Sequence, residues 1–322
     1  MVALTYKKIT GKEYEQEIID LFNQVFSRHT TIEKWEYKHF KNPICDSGVF
    51  AAFDGGLLVG MNVFSPCKYT DGKNEYRVVQ SCESAVNPSY RRLGIWNNIL
   101  DIAEEYYSKQ GYDYMIGFPN PQNSFHGFIK RGWNSENEFF RFIRIINPVN
   151  SFKHFFTDVS KEKIIKDLAH SNDEIFEISK SMVDSSIGGM VPVMNQDFYK
   201  WKYAKFGHRA YHIYEDKRCL GIVFVKVEIK YKHVFAVIEG SVPICKGIKN
   251  EELTDLFIKK NKSLFDVCIV WKNREQMASR KLGEIRYKTS FMPFIVKKIG
   301  TLGENIRWNP MFIEYDGSIE ID

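Results

Sequence analysis

The 322-residue sequence has no long apolar run. No stretch of it approaches the roughly 18 consecutive apolar residues that a membrane span requires. Its first residues, MVALTYKKITGKEYEQ, also lack the apolar core of a signal peptide. We therefore expect a cytoplasmic protein with no membrane partner.

Paired cysteines are missing as well. The six cysteines form no C-x-x-C pair, and most of them lie in apolar strand-like segments where a thiol packs as a small hydrophobe. Only His208 and His212 have H-x-x-x-H spacing, and the residues between them lack the glutamate of the HExxH zinc motif. The sequence therefore predicts neither disulfides nor a metal site.

The positive charge is small and dispersed. The net charge of +5 is not gathered into a long basic run, which suits a small polyanionic ligand better than a nucleic acid. With 44% apolar and 26% charged residues, the chain is long enough for two ordinary globular domains.

The most informative segment that is present is 86–96, VNPSYRRLGIW, where a strand-like run ends in a basic loop before a helix. A helix N-terminus offers unpaired backbone N–H groups and the positive end of the helix dipole to an anion. Gly94 lets the backbone approach the anion, and Arg91 and Arg92 add charge beside it. The predicted pyrophosphate-binding residues are Arg91, Arg92, Leu93, Gly94, Ile95 and Trp96.

This segment resembles motif A of the GNAT family of N-acetyltransferases, whose RxxGxG/A loop binds the pyrophosphate of acyl-coenzyme A. Arg91 and Gly94 match its first two signature positions, and Trp96 stands where the family usually has Gly or Ala. An exposed basic turn without a ligand is the alternative interpretation. The resemblance implies that acyl-CoA is the co-substrate.

The order of predicted elements is also similar to that of a GNAT fold. Helical patterns cover 13–27 and 31–40, and strand-like runs follow with turns at Asp54-Gly55-Gly56 and at 70–74. A long helix is predicted from about Gly94 to Gln110, followed by a strand in 112–119. The next residues, NPQNSFHGFIKRGW, resemble GNAT motif B. We therefore expect an α/β fold with mixed sheets.

The second half of the sequence repeats this plan. Residues 201–206, WKYAKF, echo 35–40, WEYKHF, and further matches follow in the same order. At the place of motif A the second copy keeps Pro243 but has no arginine pair and no RxxG. We predict two tandem GNAT-like domains: an acyl-CoA-binding domain in residues 1–150 and a degenerate one in 151–322. The second shapes the acceptor site or is purely architectural, and 152–177 is its linker and first helix.

The resemblance also implies roles for the strand before motif A. In GNAT enzymes its free N–H groups bond the pantetheine and the thioester carbonyl, which assigns these roles to the backbone of Ser84, Ala85 and Val86. The candidates for a general base are Glu83 and, through its hydroxyl or a bound water, Ser84. Strand alternation sends these two side chains to opposite faces. The structural alternatives are a solvated carboxylate and a strand hydroxyl bonded to backbone.

The motif B segment departs from the family at its general acid. Phe128 stands where GNAT enzymes usually carry a tyrosine, which suggests that the thiolate takes the proton of the amine itself. His126 is the alternative acid, although a surface or packing role is favoured for a lone histidine. Asn120 and Ser124 are predicted to bond the pantetheine or the acyl tail. Cys82 has no histidine near it in sequence, and packing is favoured over a nucleophilic role.

Tandem GNAT-like chains of this length resemble nucleotide-linked amino-sugar N-acyltransferases of bacterial polysaccharide pathways, of the anthrose-pathway type. The resemblance implies N-acylation of a dTDP- or UDP-linked amino sugar by direct attack in a ternary complex. The alternatives are acylation of a drug, peptide or protein amine, and a non-catalytic acyl-CoA-binding protein. We expect a monomer or a small homo-oligomer with no nucleic-acid partner.

Overall fold

The computed structural model describes most of the chain in two compact units. The described residues are 3–10, 12–27, 29–157, 159–169, 177–183, 189–274, 276–277, 283–286, 292–301 and 307–311. Unit 1 contains Met1–Tyr69, Tyr76–Phe118 and Val296–Glu304, and unit 2 contains Thr70–Glu75, Pro119–Ile295 and Asn305–Asp322.

Unit 1 holds the elements of the first predicted copy. Its strands are β1 (Leu4–Ile9), β2 (Gly48–Asp54), β3 (Leu57–Thr70), β4 (Glu75–Val86) and β5 (Tyr114–Gly117). Its helices are α1 (Glu15–Phe26), α2 (Ile32–Phe40) and α3 (Ile95–Lys109). The helices predicted in 13–27, 31–40 and from about Gly94 to Gln110 are confirmed.

The sheet of unit 1 is mixed, with strand order β1-β2-β3-β4-β5. The β1–β2 and β2–β3 pairs are antiparallel, and β4 and β5 are parallel because α3 forms the crossover between them. Gly55 and Gly56 have positive φ, so the predicted hairpin turn is confirmed. Strand β1 was not predicted; its partly exposed sequence, LTYKKI, has a weak strand pattern.

A hydrophobic cluster fixes α1 and α2 against this sheet. Ile18, Phe22 and Trp35 of the helices pack with apolar side chains of β2 and β3 such as Met61. Thr31 caps α2 by accepting a hydrogen bond of 3.3 Å from the Lys34 N–H.

Helix α3 lies close to the sheet because a glycine stands beneath it. A Cβ on Gly60 of β3 would lie 2.6 Å from Ile95 Cγ2 and 3.6 Å from Val86 Cγ2. The buried residues of α3, which include Ile95 and Ile99, recur at helical spacing. This close approach positions the first turn of α3 beside the end of β4.

Unit 2 holds the elements that follow Pro119, including residues 119–150, which the sequence analysis assigned to the first domain. Its strands are β6 (Asn134–Ile145), β7 (Val191–Val193), β8 (His208–Glu215), β9 (Arg218–Lys230), β10 (His233–Pro243), β11 (Val267–Asn273) and β12 (Glu284–Arg286). Its helices are α4 (Phe125–Lys130), α5 (Pro148–Phe156), α6 (Lys161–Ala169), α7 (Gln196–Lys202) and α8 (Asn250–Asn261). The linker predicted in 152–177 contains the end of α5 and all of α6, and its residues 170–176 lie outside the described ones.

The sheet of unit 2 repeats the plan of unit 1. Its strand order is β6-β11-β10-β9-β8, with β12 also paired to β6. The β8–β9 and β9–β10 pairs are antiparallel, and β10 and β11 are parallel with α8 as their crossover. The same order of strands and crossover helix thus occurs twice, and the predicted α/β fold with mixed sheets is confirmed.

The last strand, β13 (Met292–Lys298), passes from unit 2 into unit 1 at Val296. Its continuation is tied to the start of β5, since the N–H groups of Ile299 and Gly300 both donate to the Asp113 carbonyl at 3.0 Å. Residues 296–300 therefore complete unit 1 from the far end of the sequence.

Candidate functional site

The connection from β4 to α3 is held by backbone and side-chain hydrogen bonds. The Asn87 N–H donates to the Val59 carbonyl at 2.9 Å, and the Asn87 side chain accepts from the Ser89 N–H at 3.0 Å. The Tyr90 hydroxyl donates to the Asp54 carboxylate at 2.8 Å, and this hydrogen bond raises the Tyr90 pKa. The loop is therefore anchored to the β2–β3 hairpin.

Two left-handed residues shape the loop that follows. Arg92 has φ +69° and Gly94 has φ +74°, a conformation that glycine adopts without cost. Gly94 is the N-cap of α3, no side chain caps this helix, and its first turn contains no acidic residue. The N-terminal N–H groups of α3 are therefore open to an anion.

The predicted pyrophosphate residues divide into exposed and packed ones. Arg91 and Arg92 are exposed, and their side chains form no hydrogen bond or ion pair within the described part of the chain. Leu93 is also exposed, Ile95 is buried beside Gly60, and Trp96 is half-buried in the first turn. The structure thus places two free guanidinium groups next to an uncapped helix N-terminus.

Glu83 lies on β4 against α2. Its carboxylate forms an ion pair with Lys38, and Glu83 Oε2 lies 3.4 Å from Nε2 of His39. The Glu83 side chain is only 9% exposed, so the solvated carboxylate considered from the sequence is wrong. Lys38 and His39 orient this carboxylate, a pairing that no local pattern in the sequence indicates.

The ring of His39 is itself fixed from two sides. His39 Nδ1 lies 3.2 Å from the Ser47 hydroxyl, and the His39 ring centroid lies 4.2 Å from that of Trp35. His39 is fully buried. Ser47, His39 and Glu83 therefore form a continuous polar chain between the start of β2 and the middle of β4.

Ser84 follows Glu83 and has a different environment. Its Oγ is buried and has no hydrogen-bond partner among the described residues, so the predicted bond to backbone is not seen there. A buried hydroxyl normally finds a partner, which a bound ligand can supply. Ala85 packs in the core and Val86 is half-buried beside Gly60; the predicted roles of their backbone groups stay predictions.

Cys82 and the motif B residues Phe128 and His126 lie in different environments. Cys82 is half-buried and its thiol donates to the Gln80 carbonyl at 3.4 Å, as expected for a packed cysteine. Phe128, at the place of the family tyrosine, is buried against Trp133, and His126 is exposed.

Asn120 and Ser124 lie in unit 2. The exposed Asn120 side chain accepts a hydrogen bond of 2.8 Å from the Gln122 N–H, which closes a turn. Ser124 is the N-cap residue of α4 and its side chain makes no cap bond. Their assignment to the pantetheine or the acyl tail stays a prediction.

In the corresponding crossover of unit 2, from β10 to α8, the helix N-terminus is occupied by side chains of the protein itself. Glu251 and Glu252 lie in the first turn of α8, and the Glu252 carboxylate accepts the Lys249 N–H at 3.1 Å. Asn250 and Ser241 exchange two hydrogen bonds of 2.9 and 3.1 Å that tie α8 to β10. The start of this helix already carries its own anions.

The space beside this second crossover is also filled. A Cβ on Gly240 would lie 2.7 Å from Met311 Cβ, and the cavity left there has a volume of about 20 Å³, close to that of one water. Glu239 at the same place pairs with the buried His208 at 2.5 Å. No group of three or more His, Cys, Asp or Glu among the described residues is arranged to hold a metal ion.

Comparisons with known proteins agree with this architecture. Residues 5–135 match the family model described as an acetyltransferase (GNAT) domain. No curated protein matches the chain significantly. No helix within the described residues has the length and apolar character needed to cross a bilayer.

Several solved structures are similar to nearly the whole chain. A probable N-acyltransferase of unknown function from Enterococcus faecalis V583 has a TM-score of 0.61 and 14% identity, covering 93% of this chain and 73% of its own. A GCN5-related N-acetyltransferase from Anabaena variabilis ATCC 29413 has a TM-score of 0.60 and 11% identity, covering 92% and 73%. Eis1 from Mycobacterium abscessus has a TM-score of 0.58 and 9% identity, covering 92% and 74%.

At identities of 9 to 14%, these likenesses show the fold. Residues 5–135 are thus similar to an acetyltransferase (GNAT) domain, and the fold is GNAT-like over most of the chain.

Proposed function

We propose that this protein is an N-acyltransferase that moves an acyl group from acyl-CoA to an amine. The observation that carries the proposal is the open N-terminus of α3, flanked by the unpaired Arg91 and Arg92, directly after a strand that bears Glu83 and Ser84. The match of residues 5–135 to an acetyltransferase domain supports it, since such domains use acetyl-CoA.

The donor binds through the backbone as much as through side chains. The α3 N–H groups and the left-handed Gly94 receive the pyrophosphate, and the two arginines neutralise its charge. Leu93 and Trp96 supply the surrounding wall, whereas Ile95, whose side chain is buried, contributes its backbone N–H. The N–H groups of 84–86 bond the pantetheine and the thioester oxygen, in the manner of the family that this strand resembles.

The reaction is a direct attack in a ternary complex. The amine nitrogen forms a bond to the thioester carbon, Glu83 takes the proton that the nitrogen loses, and the carbon–sulfur bond breaks. Strand alternation places the Ser84 side chain on the face opposite Glu83, so Ser84 Oγ, which has no partner among the described residues, is the alternative to Glu83 at the reacting centre and does not act together with it. A proton returns to the thiolate to give free CoA. Lys38 and His39 hold the Glu83 carboxylate throughout.

We further propose that residues 1–150 bind the donor and that 151–322 shape the acceptor side. The closed crossover of unit 2, with its carboxylates and filled cavity, supports a single donor site. For the acceptor we propose a dTDP- or UDP-linked amino sugar, from the resemblance to acyltransferases of surface-polysaccharide pathways. The protein acts without a metal cofactor, in the cytoplasm, as a monomer or small homo-oligomer.

A thiol-release assay tests this proposal. Several acyl-CoAs are incubated with amino-sugar nucleotides and with a panel of drug, peptide and protein amines, and free CoA is measured. Turnover with an amino-sugar nucleotide is expected. Turnover only with the other amines would show that the acceptor is one of them and not an amino-sugar nucleotide. Tight acyl-CoA binding without turnover on any amine would contradict the enzymatic function.

A further inference from the structure

Unit 1 contains a cavity beside the start of β4, the strand whose other end leads into the Arg91 loop. It has a volume of about 530 Å³, within the range of small-molecule sites. Arg77 near the start of β4 lines it, whereas Arg91 follows the end of that strand. The nine residue steps from Arg77 to Val86 correspond to about 30 Å of strand, so the two places are separate.

Three cations line this cavity: Lys8, Lys12 and Arg77. None of them forms an ion pair with a carboxylate within the described residues. Asp46 is the only carboxylate among the lining residues, and it is exposed. With three cations and one carboxylate, the lining of the cavity carries a net positive charge.

Each cation lies over an aromatic ring. Lys8 Nζ is 5.1 Å from the Tyr106 ring centroid, and the Arg77 guanidinium is 4.3 Å from that of Tyr112. The Arg77 guanidinium also donates to the Gln110 carbonyl at 2.6 Å, which fixes its position. The aromatic rings hold the cations without neutralising them.

Hydroxyl groups of several side chains, among them Tyr107 and Tyr112, also line the cavity. Burial raises the Tyr107 pKa well above its usual value, and burial, with a smaller contribution from Cys45, raises the Tyr112 pKa to about 12. Both phenols therefore keep their protons at neutral pH and can donate to an acceptor. A Cβ on Gly48 would collide with the Tyr107 hydroxyl, so this glycine makes room for that donor.

We infer that this cavity binds a nucleoside diphosphate. Three cations and several hydroxyl donors suit two phosphate groups, and the ring edges and faces of Phe40, Tyr106 and Tyr112 suit a base. The cavity is far larger than a single phosphate ion needs. The inference does not depend on the proposed acyl transfer, because Lys8, Lys12 and Arg77 lie outside the proposed donor site, although Ser47 connects the cavity to His39 and Glu83.

A titration calorimetry experiment with UDP tests the inference on the full chain. UDP is expected to bind the unmodified protein, and Lys8→Ala and Arg77→Ala are each expected to weaken it about 10-fold, as for the loss of a charge-assisted hydrogen bond. Lys8 is exposed on the edge strand β1, so its variant tests the site even if Arg77→Ala disturbs folding. Thermal unfolding verifies that each variant is folded.

Arg91→Ala is the control that distinguishes UDP binding in the cavity from UDP binding at the Arg91 loop. UDP held at the proposed CoA loop would lose affinity in Arg91→Ala and keep it in Lys8→Ala, and that result would overturn the inference. Absence of UDP binding, or equal binding by uridine, would overturn it as well. The expected result is weakening in Lys8→Ala and Arg77→Ala with unchanged affinity in Arg91→Ala.

The nucleoside diphosphate has two possible sources, which steady-state inhibition distinguishes. UDP that competes with an amino-sugar nucleotide acceptor would identify the cavity as the site for that acceptor's nucleotide part. UDP that inhibits or activates without competing would identify it as a site for a free nucleotide. Either pattern, if abolished by Lys8→Ala, supports the site.

Discussion

The crossover from β4 to α3 and the crossover from β10 to α8 join the same kinds of element, yet their chemistry is opposite. The first begins α3 with a left-handed glycine, two unpaired arginines and no acidic residue in the first turn. The second begins α8 with Glu251 and Glu252 and ties the helix to β10 through Asn250. One helix N-terminus is open to an external anion and the other is occupied by the protein's own carboxylates.

The comparison shows that the repeated architecture does not by itself make a site. Both units pair a strand glutamate with a buried histidine, Glu83 with His39 and Glu239 with His208. Among the described residues, the first pair shares its unit with the uncapped helix start and the second with one that carries two carboxylates. We therefore expect function to depend on the few residues that keep a helix N-terminus uncapped and accessible.

The strongest test of the difference between the two units replaces each strand glutamate. Glu83→Gln is expected to lower kcat about 100-fold or more, because loss of a general base typically costs 100-fold to 10000-fold. Glu239→Gln is expected to leave kcat unchanged and to lower thermal stability, because it changes a buried ion pair in the unit without the open loop. Steady-state kinetics with acyl-CoA and the amine identified by the thiol-release assay measure both.

Acyl-CoA affinity serves as the control for Glu83→Gln, and it is expected to stay within about twofold, since the phosphate contacts lie in the Arg91 loop. Full kcat in this variant would remove Glu83 from the mechanism. Equal losses in Glu83→Gln and Glu239→Gln would show that the two units do not differ in the way proposed.

The next largest effect is expected at the loop arginine. Arg91→Ala is expected to weaken acyl-CoA binding about 10-fold to 100-fold, since hydrogen bonds to charged groups contribute about 1.5–3 kcal/mol. Arg218→Ala, at an exposed arginine of β9 in unit 2, is the matched control and should bind like the unmodified protein. Calorimetric titration with CoA measures both; unchanged affinity in Arg91→Ala would contradict the assignment of the loop.

The sequence alone predicted the elements whose signals are local. The helices, the turn at Asp54-Gly55-Gly56 and the glycine before α3 follow from periodicity, turn residues and helix-start chemistry. Strand β1 was not predicted, because half of its residues are exposed and its structure depends on pairing with β2. The passage of β13 into unit 1 could not be foreseen, since it depends on contacts with Asp113, far away in the chain.

The side chains that surround the candidate site could not be predicted from the sequence either. Glu83 could be named as a strand carboxylate, but Lys38 and His39 reach it only because α2 packs on β4, and Ser47 contacts His39 in turn. The cavity around Arg77 is assembled from several separate segments of the chain, so no motif marks it. Local patterns predict elements, whereas tertiary packing decides which side chains meet.

A third prediction compares the two glycines beneath the crossover helices. A Cβ on Gly60 would meet only side chains, with Ile95 Cγ2 at 2.6 Å, whereas a Cβ on Gly221 would lie 2.5 Å from the Val242 carbonyl oxygen and against Leu253. Side chains can rotate and a paired backbone cannot. Gly221→Ala is expected to lower the free energy of unfolding by about 1–3 kcal/mol and Gly60→Ala by less, measured by denaturant unfolding. A larger loss in Gly60→Ala would mean that α3, not α8, is the more tightly packed helix.

The smallest effect is expected when the carboxylates of α8 are removed. The double variant Glu251→Gln, Glu252→Gln should lose about 0.5–1 kcal/mol of stability, the usual size of favourable charge at a helix N-terminus, which denaturant unfolding measures. It should gain no acyl-CoA affinity in calorimetric titration, because Met311 still fills the adjacent space and no arginine pair precedes the helix. Measurable binding would instead show that the carboxylates alone keep the second crossover from holding a cofactor. The difference between the units would then rest on charge, whereas the filled space beside α8 argues that shape excludes the cofactor as well.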